Sequence, residues 1–148
     1  MVIRTGVIAA AGFGTRFLPA TKVIPKEMLP IIDRPMLQYI VEEAVEANIS
    51  RLVLVTSRGK GIMEDYFDIT PELELALERR GARKHLEKIR RISHLVEVIS
   101  VRQKEQLGLG HAVLTAMDLV GHEPFLVVLP DDVIWHSEGA TQQMLRVF

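Results

Sequence analysis

Apolar residues in this chain fall into short dense runs separated by longer amphipathic stretches. Residues 7–11 form one such run, closed by Gly12 and Gly14, and predict a buried strand that enters a tight glycine loop. Beyond a segment broken by Pro19, Pro25, Pro30 and Pro35, the positions Leu37, Ile40, Val41, Ala44 and Ala47 recur at helical spacing and predict an amphipathic helix. Residues 52–55 are apolar, with β-branched Val53 and Val55, and Thr56, Ser57, Arg58 and Gly59 end them with turn chemistry, so they predict a second strand.

Residues 71–94 are charged and helical in pattern, with Thr70 placed to cap, Pro71 at a tolerated first position and Gly81 as an interruption, which suits two short helices. Residues 96–101 predict a third strand. A loop through Gly108 and Gly110 leads to a helix carrying Val113, Ala116, Met117 and Val120, and residues 125–129 predict a fourth strand stopped by Pro130. Residues 140–148 read as helical to the end of the sequence without a capping signal.

Strands that alternate with helices predict an α/β fold: a Rossmann-like, mainly parallel sheet with right-handed crossovers and helices on both faces. Ligands of such sheets bind beyond the carboxyl ends of the strands, where loops and helix amino-termini meet. The topology then gathers three separate regions at one edge. The glycine loop follows the first strand, Arg102-Gln103-Lys104 the third, and Asp131-Asp132 the fourth.

Composition narrows the class of partner. At 148 residues, nearly half of them apolar, one globular domain with a real core is expected. Eighteen basic and 19 acidic side chains nearly cancel, so no field gathers nucleic acid or an anionic membrane, and neither is expected as a partner. Without cysteine there is neither a disulfide framework nor a thiolate zinc site. Residues 1–6 lack the marks of a secretion signal, and no run of about 18 apolar residues could span a bilayer. A soluble, cytoplasmic protein is expected.

Chemistry concentrates in a few places. Residues 10–16, Ala-Ala-Gly-Phe-Gly-Thr-Arg, set two glycines where backbone amides can approach an anion and follow them with a hydroxyl and a guanidinium. The run lacks the third glycine of a dinucleotide fingerprint and the Gly-Lys-Ser/Thr ending of an ATPase phosphate loop. Lys22 and Lys26 lie in a proline-stiffened segment that cannot be helical throughout; a stiff loop can aim an ammonium at a polyphosphate, and solvated surface charge is the other role open to them. The basic residues between Arg79 and Arg91 are interleaved with Glu78 and Glu87 and have no aromatic partner, which predicts a solvated helix face. The histidines His85, His94, His111, His122 and His136 show no metal-ligand spacing, and none is assigned to a metal.

Residues 10–22, continued by Ile24-Pro25-Lys26-Glu27-Met28-Leu29-Pro30, resemble the signature of the UTP-glucose-1-phosphate uridylyltransferases, within the sugar-1-phosphate nucleotidyltransferases. Residues 101–105, 107–112 and 129–132 are similar to that family in the same order. The resemblance implies the nucleotidyltransferase fold, with Ala11, Gly12, Glu27, Gln103 and Gly108 at the uridine portion. It also implies Gly14, Thr15 and Arg16 at the triphosphate, Lys26 near the reacting phosphates and Asp131 as a ligand of Mg2+, with Asp132 its neighbour.

The implied reaction is attack of glucose 1-phosphate on the α-phosphorus of UTP, giving UDP-glucose and pyrophosphate, with Arg16 and Lys26 as the catalytic side chains. The partners implied are UTP, glucose 1-phosphate and further copies of the chain in a homo-oligomer. Because the resemblance covers the first half of a typical family member, residues 1–148 read as a truncated nucleotide-binding portion, with the sugar-binding residues and a second magnesium carboxylate expected beyond Phe148. A related thymidylyltransferase and a non-catalytic nucleotide-binding fragment or regulatory paralogue remain open at this point.

Overall fold

A computed structural model describes residues 2–148. Four strands, β1 (Thr5–Ala9), β4 (Arg51–Thr56), β5 (Glu97–Arg102) and β6 (Leu126–Val128), form one parallel sheet in the order β5-β4-β1-β6. Between β1 and β4 lie the two-residue strands β2 (Pro30–Ile31) and β3 (Arg34–Pro35), an antiparallel hairpin, and helix α1 (Met36–Glu46). Helices α2 (Ile62–Asp65), α3 (Pro71–Arg79) and α4 (Arg83–Ser93) connect β4 to β5. Helices α5 (Leu109–Thr115) and α6 (Met117–Val120) connect β5 to β6, and α7 (Ala140–Val147) follows.

The reason residues 7–11 and 52–55 read as unbroken apolar runs is visible in the packing. Successive strand residues point to opposite faces, and β1 and β4 are covered on both. Ile8, Leu52 and Leu54 pack with Leu37, Ile40, Val41 and Ala44 of α1 and with Met63 and Phe67. Val7, Val53 and Val55 pack on the other face with Ala112 of α5, Val120 of α6 and Ala116 between them. Helices on both faces of a parallel sheet were the expectation, and they are what this chain builds.

Several local expectations are corrected. Thr70 stands at the amino-terminal cap position of α3, but its side chain makes no capping bond; Pro71 does open the helix, with Glu72 and Glu74 in the first turn to favour its positive end. The helix expected around residues 113–120 begins earlier and is divided into α5 and α6 at Ala116. A single-turn helix, α2, went unpredicted because four residues cannot display a period. Gly81, at φ +65°, separates α3 from α4 as expected. The basic segment is a solvated face: Arg90 bonds Glu74 and Glu78 at 2.6 and 2.7 Å, and Lys88 bonds Asp33 at 2.7 Å.

Helix α7 takes its cap from a distant helix. Glu43 Oε1, on α1, accepts both the Thr141 N–H and the Thr141 hydroxyl, each at 2.8 Å. A Cβ at Gly139 would lie 2.6 Å from Glu43 Cγ, so glycine is required for this approach. Among the described residues no helix is long and apolar enough to cross a membrane.

Candidate functional site

All four strands of the parallel sheet end on the same edge, and the ladder runs one residue further: Ala10 N–H donates to Val55 O and Gln103 N–H to Thr56 O, both at 2.9 Å. The segments leaving this edge enclose a cleft of about 330 Å³. Six of the residues singled out in the sequence line it: Ala11 and Gly12 after β1, Lys26 from the proline-rich loop, Gln103 and Gly108 after β5, and Asp131 after β6. They come from four separate segments, three of which follow strand ends that the parallel topology delivers to one place.

Inside the cleft the Lys26 ammonium donates to Asp131 Oδ2 at 2.7 Å, with both side chains mostly shielded from solvent. Arg16 stands at the mouth, its guanidinium 3.7 Å from the same oxygen and its side chain 85% exposed. Asp131 is thus placed between two cations, one shielded and one exposed. Among the described residues no group of three His, Cys, Asp or Glu side chains is placed to hold a metal, so the cleft supplies a single carboxylate.

The proline-rich segment folds as three 3-10 turns, Thr15–Phe17, Ala20–Lys22 and Lys26–Met28, and not as a helix, in keeping with its prolines. Gly14 opens the first turn at φ +66°, and its carbonyl accepts the Thr21 hydroxyl at 2.7 Å. A Cβ at Gly14 would lie 3.2 Å from Lys26 Cβ, so this glycine lets the loop lie against the lysine stem. Thr15 and Lys22 are exposed, and Gly14, Thr15 and Lys22 are not part of the cleft wall.

Glu27 is fully buried, and it too lies outside the cleft wall. Its carboxylate oxygens accept from the Lys60 ammonium at 3.2 and 3.0 Å, and that ammonium also donates to the Ala10 carbonyl. Burial pushes the Lys60 ammonium below its ordinary value, against the opposing pull of Glu27. Lys60 escaped the sequence reading, although a lysine between Gly59 and Gly61 just past a strand end was the available signal. Gln106 also went unremarked; it lines the cleft and donates to the Ala11 carbonyl at 2.8 Å.

Gln103 is the one predicted residue that is both buried and polar within the cleft wall, at 4% exposure. Its amide nitrogen lies 3.2 Å from the Gly108 carbonyl oxygen and 2.9 Å from His111 Nδ1. Gly108 has φ +92°, a conformation suited to glycine, and its carbonyl also accepts the Ala112 N–H at 3.1 Å.

The nucleotidyl transferase family model matches residues 5–148. A UTP–glucose-1-phosphate uridylyltransferase of Bacillus subtilis is 50% identical over 143 residues, which cover 97% of this chain and 49% of that protein. A structure described as UTP-bound UGPase from Acinetobacter baumannii superposes with a TM-score of 0.93 at 47% identity, covering 99% of this chain and 52% of that one. A UDP-glucose pyrophosphorylase complexed with UDP-glucose gives a TM-score of 0.81 at 45% identity, over 99% and 53%. The chain spans about half the length of these relatives.

Proposed function

The chain belongs to the nucleotidyl transferase family, and from that premise we propose that residues 1–148 form the nucleotide-binding portion of a UTP-glucose-1-phosphate uridylyltransferase. The observation that carries the reading is the convergence of Gly12, Lys26, Gln103, Gly108 and Asp131 on one cleft. In the reaction, a phosphate oxygen of glucose 1-phosphate bonds to the α-phosphorus of UTP while the bond to the bridging oxygen breaks, releasing pyrophosphate and UDP-glucose. No covalent enzyme intermediate is involved. Such a transfer depends on positioning and on neutralising charge that develops on the phosphates.

In this reading Ala11, Gly12, Gln103 and Gly108 receive the uridine, and the glycine loop lets backbone amides approach the phosphates. Lys26 holds its ammonium on the reacting phosphates, and the exposed Arg16 closes on the triphosphate from the mouth. Glu27 acts from behind the wall, through Lys60, on the carbonyl of Ala10. The single carboxylate of Asp131 suits a hard cation such as Mg2+, which takes one or two protein carboxylates and completes its shell with water and phosphate oxygens. Bound there, Mg2+ would supply further charge neutralisation. UTP as the substrate makes the cytoplasm the proposed compartment.

Nucleotide-dependent thermal protection tests the assignment, since a ligand that binds only the native state raises stability by mass action. With Mg2+ present, UTP is expected to raise the melting temperature more than ATP or GTP at equal concentration. Equal shifts for all three would overturn the uridine assignment.

A further inference from the structure

The wall of the cleft fixes which end of the Gln103 amide a ligand meets. The Gly108 carbonyl can only accept a hydrogen bond, so the amide nitrogen, not the oxygen, must be the atom 3.2 Å from it. That nitrogen carries two hydrogens and cannot accept, so His111 Nδ1, 2.9 Å away, must be the acceptor of the second. The imidazole is therefore the neutral tautomer with its proton on Nε2. Both amide hydrogens are committed, one to a backbone carbonyl that a glycine at φ +92° turns inward and one to the first turn of α5.

The amide oxygen has a different fate. Among the described residues it has no hydrogen-bond partner, and among the same residues no buried side-chain nitrogen or oxygen lacks one. Gln103 Oε1 is thus open to the cleft that the residue lines. A ligand in that cleft meets an acceptor and no donor from this side chain.

We propose that His111, together with the Gly108 carbonyl, is a specificity-determining positioning residue: it holds Gln103 as a pure acceptor and so selects a pyrimidine bearing N–H at ring position 3. Uracil carries that donor. Cytosine presents a lone pair at the same atom, which faces the lone pairs of Oε1 and leaves a desolvated acceptor unmatched. The inference rests on the nucleotide reading of the cleft and deepens it, because it assigns the choice between two pyrimidines of the same size to a side chain that need not touch the base.

The test is the ratio of CTP to UTP dissociation constants, measured by titration calorimetry on the folded chain and on two variants. His111→Leu removes the acceptor and frees one amide hydrogen. His111→Asn keeps an acceptor, Oδ1, close to where Nδ1 stood. Losing one partner of a buried hydrogen bond shifts such a preference by roughly tenfold. The wild-type chain is expected to favour UTP, His111→Leu to lower the ratio by about tenfold, mainly through tighter CTP binding, and His111→Asn to restore it. A purely structural role for His111 would weaken both nucleotides together and leave the ratio where it was.

An unchanged ratio in His111→Leu, or a collapsed ratio in His111→Asn, overturns the inference while leaving the uridine-nucleotide cleft standing. Equal affinity of the wild-type chain for UTP and CTP overturns the inference as well. A wild-type chain that binds neither nucleotide overturns the nucleotide reading and the inference with it.

Discussion

Replacing Lys60 by methionine keeps the aliphatic stem and removes the ammonium, which leaves the Glu27 carboxylate fully buried and without its cation. Removing one partner of a buried ion pair costs about 3–5 kcal/mol, because the survivor retains its desolvation penalty. A domain of ordinary stability has about 5–15 kcal/mol in total, so Lys60→Met should be severely destabilised. The Ala10 carbonyl loses its donor in the same change, adding about 1–3 kcal/mol if no water replaces it. The double variant Glu27→Leu/Lys60→Met separates these contributions. With both charges gone the buried-ion penalty disappears, and only the unmet carbonyl remains, so the double variant should be more stable than Lys60→Met alone. Urea denaturation followed by circular dichroism, arranged as a double-mutant cycle, measures the coupling. A Lys60→Met loss under about 1 kcal/mol, or additive losses in the cycle, would refute the reasoning, since exposed pairs behave that way.

Other consequences are simpler to read. Gly14→Ala places a Cβ at φ +66° and 3.2 Å from Lys26 Cβ; a left-handed alanine costs about 1–2 kcal/mol, to be seen in urea denaturation as a lower midpoint, with UTP affinity reduced as well. Arg16→Ala, at an exposed position, should change stability by no more than about 0.5 kcal/mol yet weaken UTP binding by roughly 1–3 kcal/mol through a lost charge-assisted contact, as calorimetry would report. The hydrogen bond from Lys88 lowers the Asp33 carboxyl below its ordinary 3.8. Its contribution to stability is therefore present above 3.8 and lost as pH falls through the lowered folded value; carboxyl NMR titration should show the Asp33 midpoint return upward in Lys88→Met.

Much of the fold was legible because its signal is local. Residues 7–11 and 52–55 are apolar at every position, as a strand covered on both faces requires, and the packing of Val53 and Leu54 on opposite sides bears this out. Gly14 was legible as a loop residue for a similar reason: a left-handed backbone position asks for glycine whatever surrounds it. Lys60 and Gln106 were not legible, since their partners lie 50 and 95 residues away, at Ala10 and Ala11, and nothing in their own neighbourhoods encodes the meeting. Thr70 looked like a cap by type and position, but the hydroxyl does not bond the helix, a choice of rotamer and loop path that no residue preference specifies. The cap of α7 lay out of reach for the opposite reason, because its acceptor belongs to another helix.

The 2.7 Å contact between Lys26 and Asp131 means that the cleft carries its own counter-ion. Each side chain occupies the seat of the other's proposed ligand: the ammonium stands where a cation would meet the carboxylate, and the carboxylate where a phosphate would meet the ammonium. A polyphosphate arriving alone must separate the pair and strand a carboxylate, and a cation arriving alone must strand an ammonium. When both arrive together, one separation serves two new contacts. On the proposed assignment nucleotide and cation would be positive effectors of each other, and thermodynamic linkage would make the effect reciprocal: the factor by which the cation tightens nucleotide binding would equal the factor by which the nucleotide tightens cation binding. With Lys26 and Asp131 unable to pair, that mutual factor would shrink: under the proposed reading the internal ion pair would turn two independent affinities into one joint event.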